Sequence, residues 1–108
     1  MSVLERLEKN GLYLRYEDVV RICEKYQLSE LSIFGSAIRD DFSEDSDVDI
    51  LISYANVWNN DPFDDLHIEN ELKELLNRKI DIVDKDGLKN PIRREEILST
   101  REVLYAHP

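Results

Sequence analysis

One stretch constrains this chain more than any other. Ile33-Phe34 closes a short apolar run, Gly35-Ser36 breaks it, and after ten intervening residues Asp47-Val48-Asp49 leads into Ile50-Leu51-Ile52. A strand shows alternate side chains to the same face, so Asp47 and Asp49 point one way and Val48, Ile50 and Ile52 the other. The apolar face enters a core while two carboxylates stand together at the strand's mouth. Adjacent carboxylates repel, and a hard divalent cation relieves that repulsion by taking their oxygens as ligands.

The rest of the chain narrows what such a site serves. With 108 residues the expectation is one domain spanning 1–108, and 42% hydrophobic with 35% charged residues describes a soluble globule. No apolar run approaches the roughly 18 residues a membrane span requires, and no signal-peptide pattern opens the chain. A single cysteine, Cys23, and two scattered histidines exclude an internal disulfide and a zinc cluster. A cytoplasmic location follows as the expectation. The net charge of −10 opposes direct binding to a nucleic-acid backbone, which relies on clustered Lys and Arg. It suits a protein partner with a basic surface. Six carboxylates fall between Asp40 and Asp49 with no Lys or Arg among them. Asp40, Asp41, Glu44 and Asp45 read equally well as a solvated loop, which does not explain Asp47 and Asp49 inside a strand pattern.

Periodicity supplies the frame. Val3, Leu4 and Leu7 recur at helical spacing up to Asn10-Gly11, and Tyr16, Val19, Val20, Cys23 and Tyr26 form one stripe of a second helix. Cys23 is therefore a core residue. Residues 31–34 read as a strand, 36–39 as a turn of helix, 41–46 as a loop and 47–53 as a second strand. Residues 54–62 read as an irregular loop in which Trp58 either packs locally or belongs to a contact surface. A helix over 64–77 buries Ile68, Leu72, Leu75 and Leu76 and leaves His67 partly exposed. A third strand over 79–83 places Asp81 opposite Ile80 and Ile82. Asn90-Pro91 caps a last helix expected to carry Ile97, Leu98, Leu104 and Tyr105. The fold class is α/β (α+β), a small mixed sheet of about three to four strands backed by helices.

Other metal and phosphate motifs fail. An EF-hand loop starting at Asp45 needs glycine where Ile50 stands and glutamate where Asn56 stands, and neither a Walker lysine nor a dinucleotide glycine triplet is present. Two-metal phosphoryl chemistry remains, with carboxylates on neighbouring strands and a glycine turn that lets backbone approach a phosphate.

Gly35-Ser36, ten residues, Asp47-Val48-Asp49 and a later Ile80-Asp81-Ile82 resemble the signature of the DNA polymerase-β-like nucleotidyltransferase superfamily, in particular its minimal nucleotidyltransferase (MNT) branch. The resemblance implies that Gly35 and Ser36 hold the β- and γ-phosphates of ATP and that Asp47, Asp49 and Asp81 are catalytic and carry two magnesium ions. It also implies that Asp81 orients or deprotonates the acceptor hydroxyl. Many relatives follow the serine with x-Ala-Arg-Gly; here Ala37-Ile38-Arg39-Asp40 retains Arg39, a nucleotide-binding candidate, and puts Asp40 in place of glycine. The MNT branch is similar to antitoxins paired with HEPN-type toxins, which transfer AMP from ATP to a toxin tyrosine and silence it. The expected assembly is thus a hetero-oligomer with a HEPN toxin, without nucleic acid or membrane. A catalytically idle antitoxin acting by binding alone, and a small-molecule nucleotidyltransferase, are the competing classes.

Overall fold

The computed structural model describes residues 1–56 and 61–107; Trp58, and with it the question of its role, lies outside the described residues. Among the described residues, four α-helices, α1 (Val3–Lys9), α2 (Tyr16–Lys25), α3 (Asp64–Leu76) and α4 (Pro91–Thr100), accompany four strands, β1 (Leu28–Phe34), β2 (Val48–Tyr54), β3 (Ile80–Asp84) and β4 (Glu102–Ala106). The sheet order is β3-β2-β1-β4. β1 pairs antiparallel with β2 and β4, and β2 pairs parallel with β3, so the sheet is mixed as expected. Among the described residues no helix is long and apolar enough to cross a membrane.

The two faces of the sheet have different work. Leu31, Ile33, Val48, Ile50, Ile52 and Ile80 pack against α1, α2 and α3 through Leu7, Val19, Ile22, Cys23, Ile68 and Leu72 in the principal core. Each fully buried aliphatic side chain there contributes about 1.5–3 kcal/mol. The alternation continues on the opposite face, where Phe34 and Leu51 meet Ile97 of α4, flanked by Val83, Leu88 and Leu98. This second cluster is small and leaves most of that face open for chemistry.

Local signals account for most boundaries. Ser2 and Glu5 form a capping box on α1. The Asn90 side chain accepts from the backbone N–H groups of Ile92 and Arg93 ahead of Pro91 at the start of α4. Asn77, in the left-handed conformation, ends α3.

Three expectations need correction. The last helix ends at Thr100, and Leu104 and Tyr105 lie on β4, which pairs with β1 from Glu30↔Ala106 to Ile33↔Glu102. A seven-residue spacing from Ile97-Leu98 to Leu104-Tyr105 mimics a helix, but the free edge of β1 supplies pairing that overrides local pattern. β1 starts three residues earlier than expected, at Leu28. Tyr16, assigned to the buried stripe of α2, is exposed, and Ile22 takes its place in the core with Val19 and Cys23. Cys23 is buried as read, and burial pushes its thiol up to about 12, so it stays protonated and inert.

Candidate active site

Strand register builds the site. Phe34 pairs with Asp49 across β1 and β2, and Asp49 pairs with Asp81 across β2 and β3. Cross-strand partners share a face. Asp49 therefore stands between the turn that follows Phe34 and the carboxylate of Asp81, on the face away from the principal core. Asp47 lies one residue before β2, half-buried.

Gly35 is required by two constraints at once. Its φ is +76°, in the left-handed region, and a Cβ there would collide with Oδ2 of Asp49 and stand 3.2 Å from its Cγ. Only glycine lets the backbone turn against that carboxylate. From Gly35 to Ile38 the chain makes a single 3-10 turn, closed where Ser36 O accepts from the Arg39 N–H at 2.9 Å. Asn10, just past α1, clamps the turn from outside: its side-chain amide donates to the carbonyls of Ala37 (2.8 Å) and Arg39 (3.0 Å).

The loop into Asp47 is held comparably. The Arg78 guanidinium donates to the carbonyls of Ser43, Glu44 and Ser46 at 2.6–3.1 Å and lies over the ring of Phe42 at 4.5 Å. Val48 N–H donates to Lys79 O, joining the two strand mouths.

Electrostatically the site is unbalanced. Asp49 is held above the ordinary carboxylate range by burial first, then by the negative charges of Asp81 and Asp47, against a partial offset from Arg39 and Arg93. Among the described residues, no group of three or more His, Cys, Asp or Glu side chains is gathered closely enough to hold an ion alone. Asp49 and Asp81, paired across β2 and β3, supply two carboxylates, and magnesium bound with a phosphorylated substrate takes one or two, drawing its other ligands from phosphate oxygens and water.

The remaining candidates fall out as follows. Arg39 is exposed and paired with Asp41 at 3.0 Å. It lines a cavity of about 200 Å³ that adjoins Gly35 and is closed on its other side by α4. Asp40 is exposed and borders a different groove of about 690 Å³, walled by Arg6, Lys9 and Asn10. Asp47, Asp49 and Asp81 line neither of the two, but the smaller cavity includes Gly35, whose backbone is pressed against Asp49, and so adjoins the carboxylates. His67 is exposed on α3, 4.0 Å from Asp64, and away from these residues in the fold. Arg78, Asn10 and the α4 residues at the cavity escaped sequence reasoning. Only Asn90-Pro91 followed by Arg93-Arg94, two cations together in an acidic chain, offered a signal.

A glycine turn is pressed onto Asp49, which is in register with Asp81 and two residues after Asp47, and the family model described as "Polymerase beta, Nucleotidyltransferase" matches residues 17–107. The chain belongs to this nucleotidyltransferase family. Within it, the chain is 35% identical over 105 residues to the protein adenylyltransferase MntA of Thermococcus cleftensis, covering 97% of this chain and 99% of that protein. Two solved structures share the nucleotidyltransferase fold. One is a chain of a toxin–antitoxin crystal structure with AMP-PNP, with a TM-score of 0.69 at 18% identity, covering 87% of this chain and 75% of that one. The other is a chain from the complex of a tri-AMPylated Shewanella oneidensis HEPN toxin with its MNT antitoxin, with a TM-score of 0.61 at 16% identity, covering 94% and 73%.

Proposed function

We propose that this nucleotidyltransferase is a protein adenylyltransferase antitoxin that moves AMP from ATP to a tyrosine hydroxyl of a HEPN-type toxin and so neutralises it in the cytosol. The observation that carries this reading is Asp49 held between Gly35 and Asp81, on a chain that aligns end to end with an adenylyltransferase relative. The AMP-PNP and AMPylated-toxin structures of its fold neighbours support the nucleotide and the partner class.

In this reading the Gly35-Ser36 turn receives the β- and γ-phosphates, with the Gly35 backbone free to approach because no Cβ intervenes. Asp47, Asp49 and Asp81 would hold magnesium, which when bound neutralises charge on the phosphates and activates the attacking oxygen. Asp81, exposed at the edge strand, faces the incoming acceptor and takes the hydroxyl proton. The hydroxyl oxygen then bonds to the α-phosphorus, the bond from that phosphorus to the α–β bridging oxygen breaks, and pyrophosphate leaves with its electron pair. The net charge of −10 draws a basic protein surface toward the site.

The test is mass spectrometry of a HEPN toxin partner after incubation with this chain, ATP and magnesium. The expected result is a gain of AMP on a tyrosine, abolished by Asp47→Asn and by Asp49→Asn. Asp81→Asn is expected to stop transfer while leaving the circular dichroism spectrum and melting curve intact. Full neutralisation of the toxin by the Asp47→Asn, Asp49→Asn double variant, with no change in toxin mass, would overturn the proposal.

A further inference from the structure

The chain carries eight arginines, and seven of them have a hydrogen-bonded partner. Arg6 holds Glu102, Arg15 holds Glu17, Arg21 holds Asp18 and Arg39 holds Asp41. Arg78 and Arg94 hold backbone carbonyls, and Arg101 holds Glu30. Arg93 is the exception: among the described residues its guanidinium has neither a hydrogen bond nor an ion pair. In a chain with 24 Asp and Glu residues, that vacancy in the pairing pattern is notable for its location. Arg93 lines the cavity of about 200 Å³ beside Gly35, facing Phe34, Gly35 and Arg39 from α4, with Glu96 and Thr100 on its own helix.

We propose that Arg93 binds the triphosphate of the donor nucleotide, gripping the β- and γ-phosphates across this cavity from the Gly35-Ser36 turn. The inference rests on the reading of the site as one for a nucleoside triphosphate, and adds a residue from a helix that the glycine-aspartate motif does not include. Three observations support it besides the free guanidinium. The helix is fixed: Asn90 caps it, Arg94 donates to Lys85 O at 2.7 Å, and Ile97 is buried against Phe34 and Leu51. Its position is close to the chemistry, since Phe34 is the cross-strand partner of Asp49 and the Arg93 charge acts on Asp49. The charge balance also calls for it. A triphosphate entering beside Asp47, Asp49 and Asp81 meets like charge, and Arg39 already spends part of its charge on Asp41 with Glu96 nearby. An unpaired guanidinium presents a planar fork that matches phosphate oxygens two at a time. Glu96 lines the same cavity and opposes an anion, so it should weaken binding that Arg93 favours.

Calorimetric titration of the full chain with magnesium chloride tests this, using α,β-methylene-ATP, which cannot donate AMP, and AMP as the short probe. Arg93→Ala is expected to weaken α,β-methylene-ATP binding about tenfold to a hundredfold, as for loss of hydrogen bonds to a charged group, with AMP binding and the melting temperature unchanged. Arg93→Lys should recover part of the loss, and Glu96→Gln should tighten triphosphate binding a few-fold. Unchanged triphosphate affinity in Arg93→Ala, or an equal loss for AMP and triphosphate, would overturn the proposal. If the Arg93 effect is seen but no AMP reaches a toxin, the transfer reading fails and this one stands; if the wild-type chain binds no triphosphate, both fail.

Discussion

Two carboxylates, Glu30 and Asp49, share one face of this sheet and have been treated in opposite ways. The β1–β2 register sets Glu30 opposite Ser53, Ser32 opposite Leu51 and Phe34 opposite Asp49, so Glu30 and Asp49 occupy the two ends of one face. Glu30 is 8% exposed and accepts from Ser32 Oγ (2.7 Å) and Arg101 Nε (2.6 Å), with Lys85 Nζ at 3.3 Å. Burial opposes its ionisation, but those donors and charges outweigh it and hold the carboxyl below its usual range. Asp49 is half-buried, has like charges for neighbours, and is held above its range. A carboxylate whose partners are all protein fastens structure, here the ends of α4 and β3 to β1. A carboxylate left with net repulsion, which Arg39 and Arg93 offset only in part, gains from any further cation that approaches it.

The comparison breaks most severely at Asp49. Asp49→Asn is expected to lower AMP transfer more than about a thousandfold, since cation-assisted charge stabilisation is worth several kcal/mol, measured as the initial rate of toxin modification. Glu30→Ala should do the reverse: it strands Arg101 and Lys85 without their counter-charge and costs about 3 kcal/mol of stability, read by urea denaturation, with the strand mouths around Asp49 least affected. Gly35→Ala probes the boundary between them. The positive φ and the collision with Asp49 together should cost about 1–2 kcal/mol and at least tenfold in transfer rate.

The smallest effect has a defined sign. Asp49 has a raised value in the folded chain, so its contribution is favourable below its unfolded value near 3.8 and is lost as pH rises through the folded one. Asp49→Asn should therefore melt a few degrees higher than wild type at about pH 7, with the gap closing toward about pH 4. Glu30 is lowered, so its contribution is present above its unfolded value near 4.5 and is lost as pH falls through the folded one. The penalty of Glu30→Ala should shrink over that acid range. Melting curves of the three proteins against pH would show two trends of opposite slope; parallel curves would refute the contrast.

How much of this was legible beforehand follows from where each signal resides. The face that Asp49 shares with Asp81 was readable because period-2 alternation assigns each aspartate to a face without knowledge of what packs there, and Gly35 was readable as the break that ends an apolar run. The sheet's fourth strand was not, because Glu102–Ala106 takes its conformation from the open edge of β1. Glu30 fell outside the expected strand over 31–34, and its partners at 85 and 101 are distant in the chain and meet it only after α4 folds back. Arg93 was hidden for the same reason. A cation's role depends on which carboxylates others have already claimed, and that is a property of the assembled molecule.

The pairing of Asp49 with Asp81 also says how this site should be recognised in divergent sequences. β2 and β3 are parallel and joined through α3, so the number of residues between the two aspartates is free to drift with the length of that crossover. What cannot drift is phase. A slip of one residue along β3 would carry Asp81 through the sheet into the company of Ile68 and Leu72, and bring Ile80 or Ile82 out beside Asp49. A search pattern for kin of this chain should therefore leave the gap open and demand the alternation, an acid flanked on both sides by branched aliphatics.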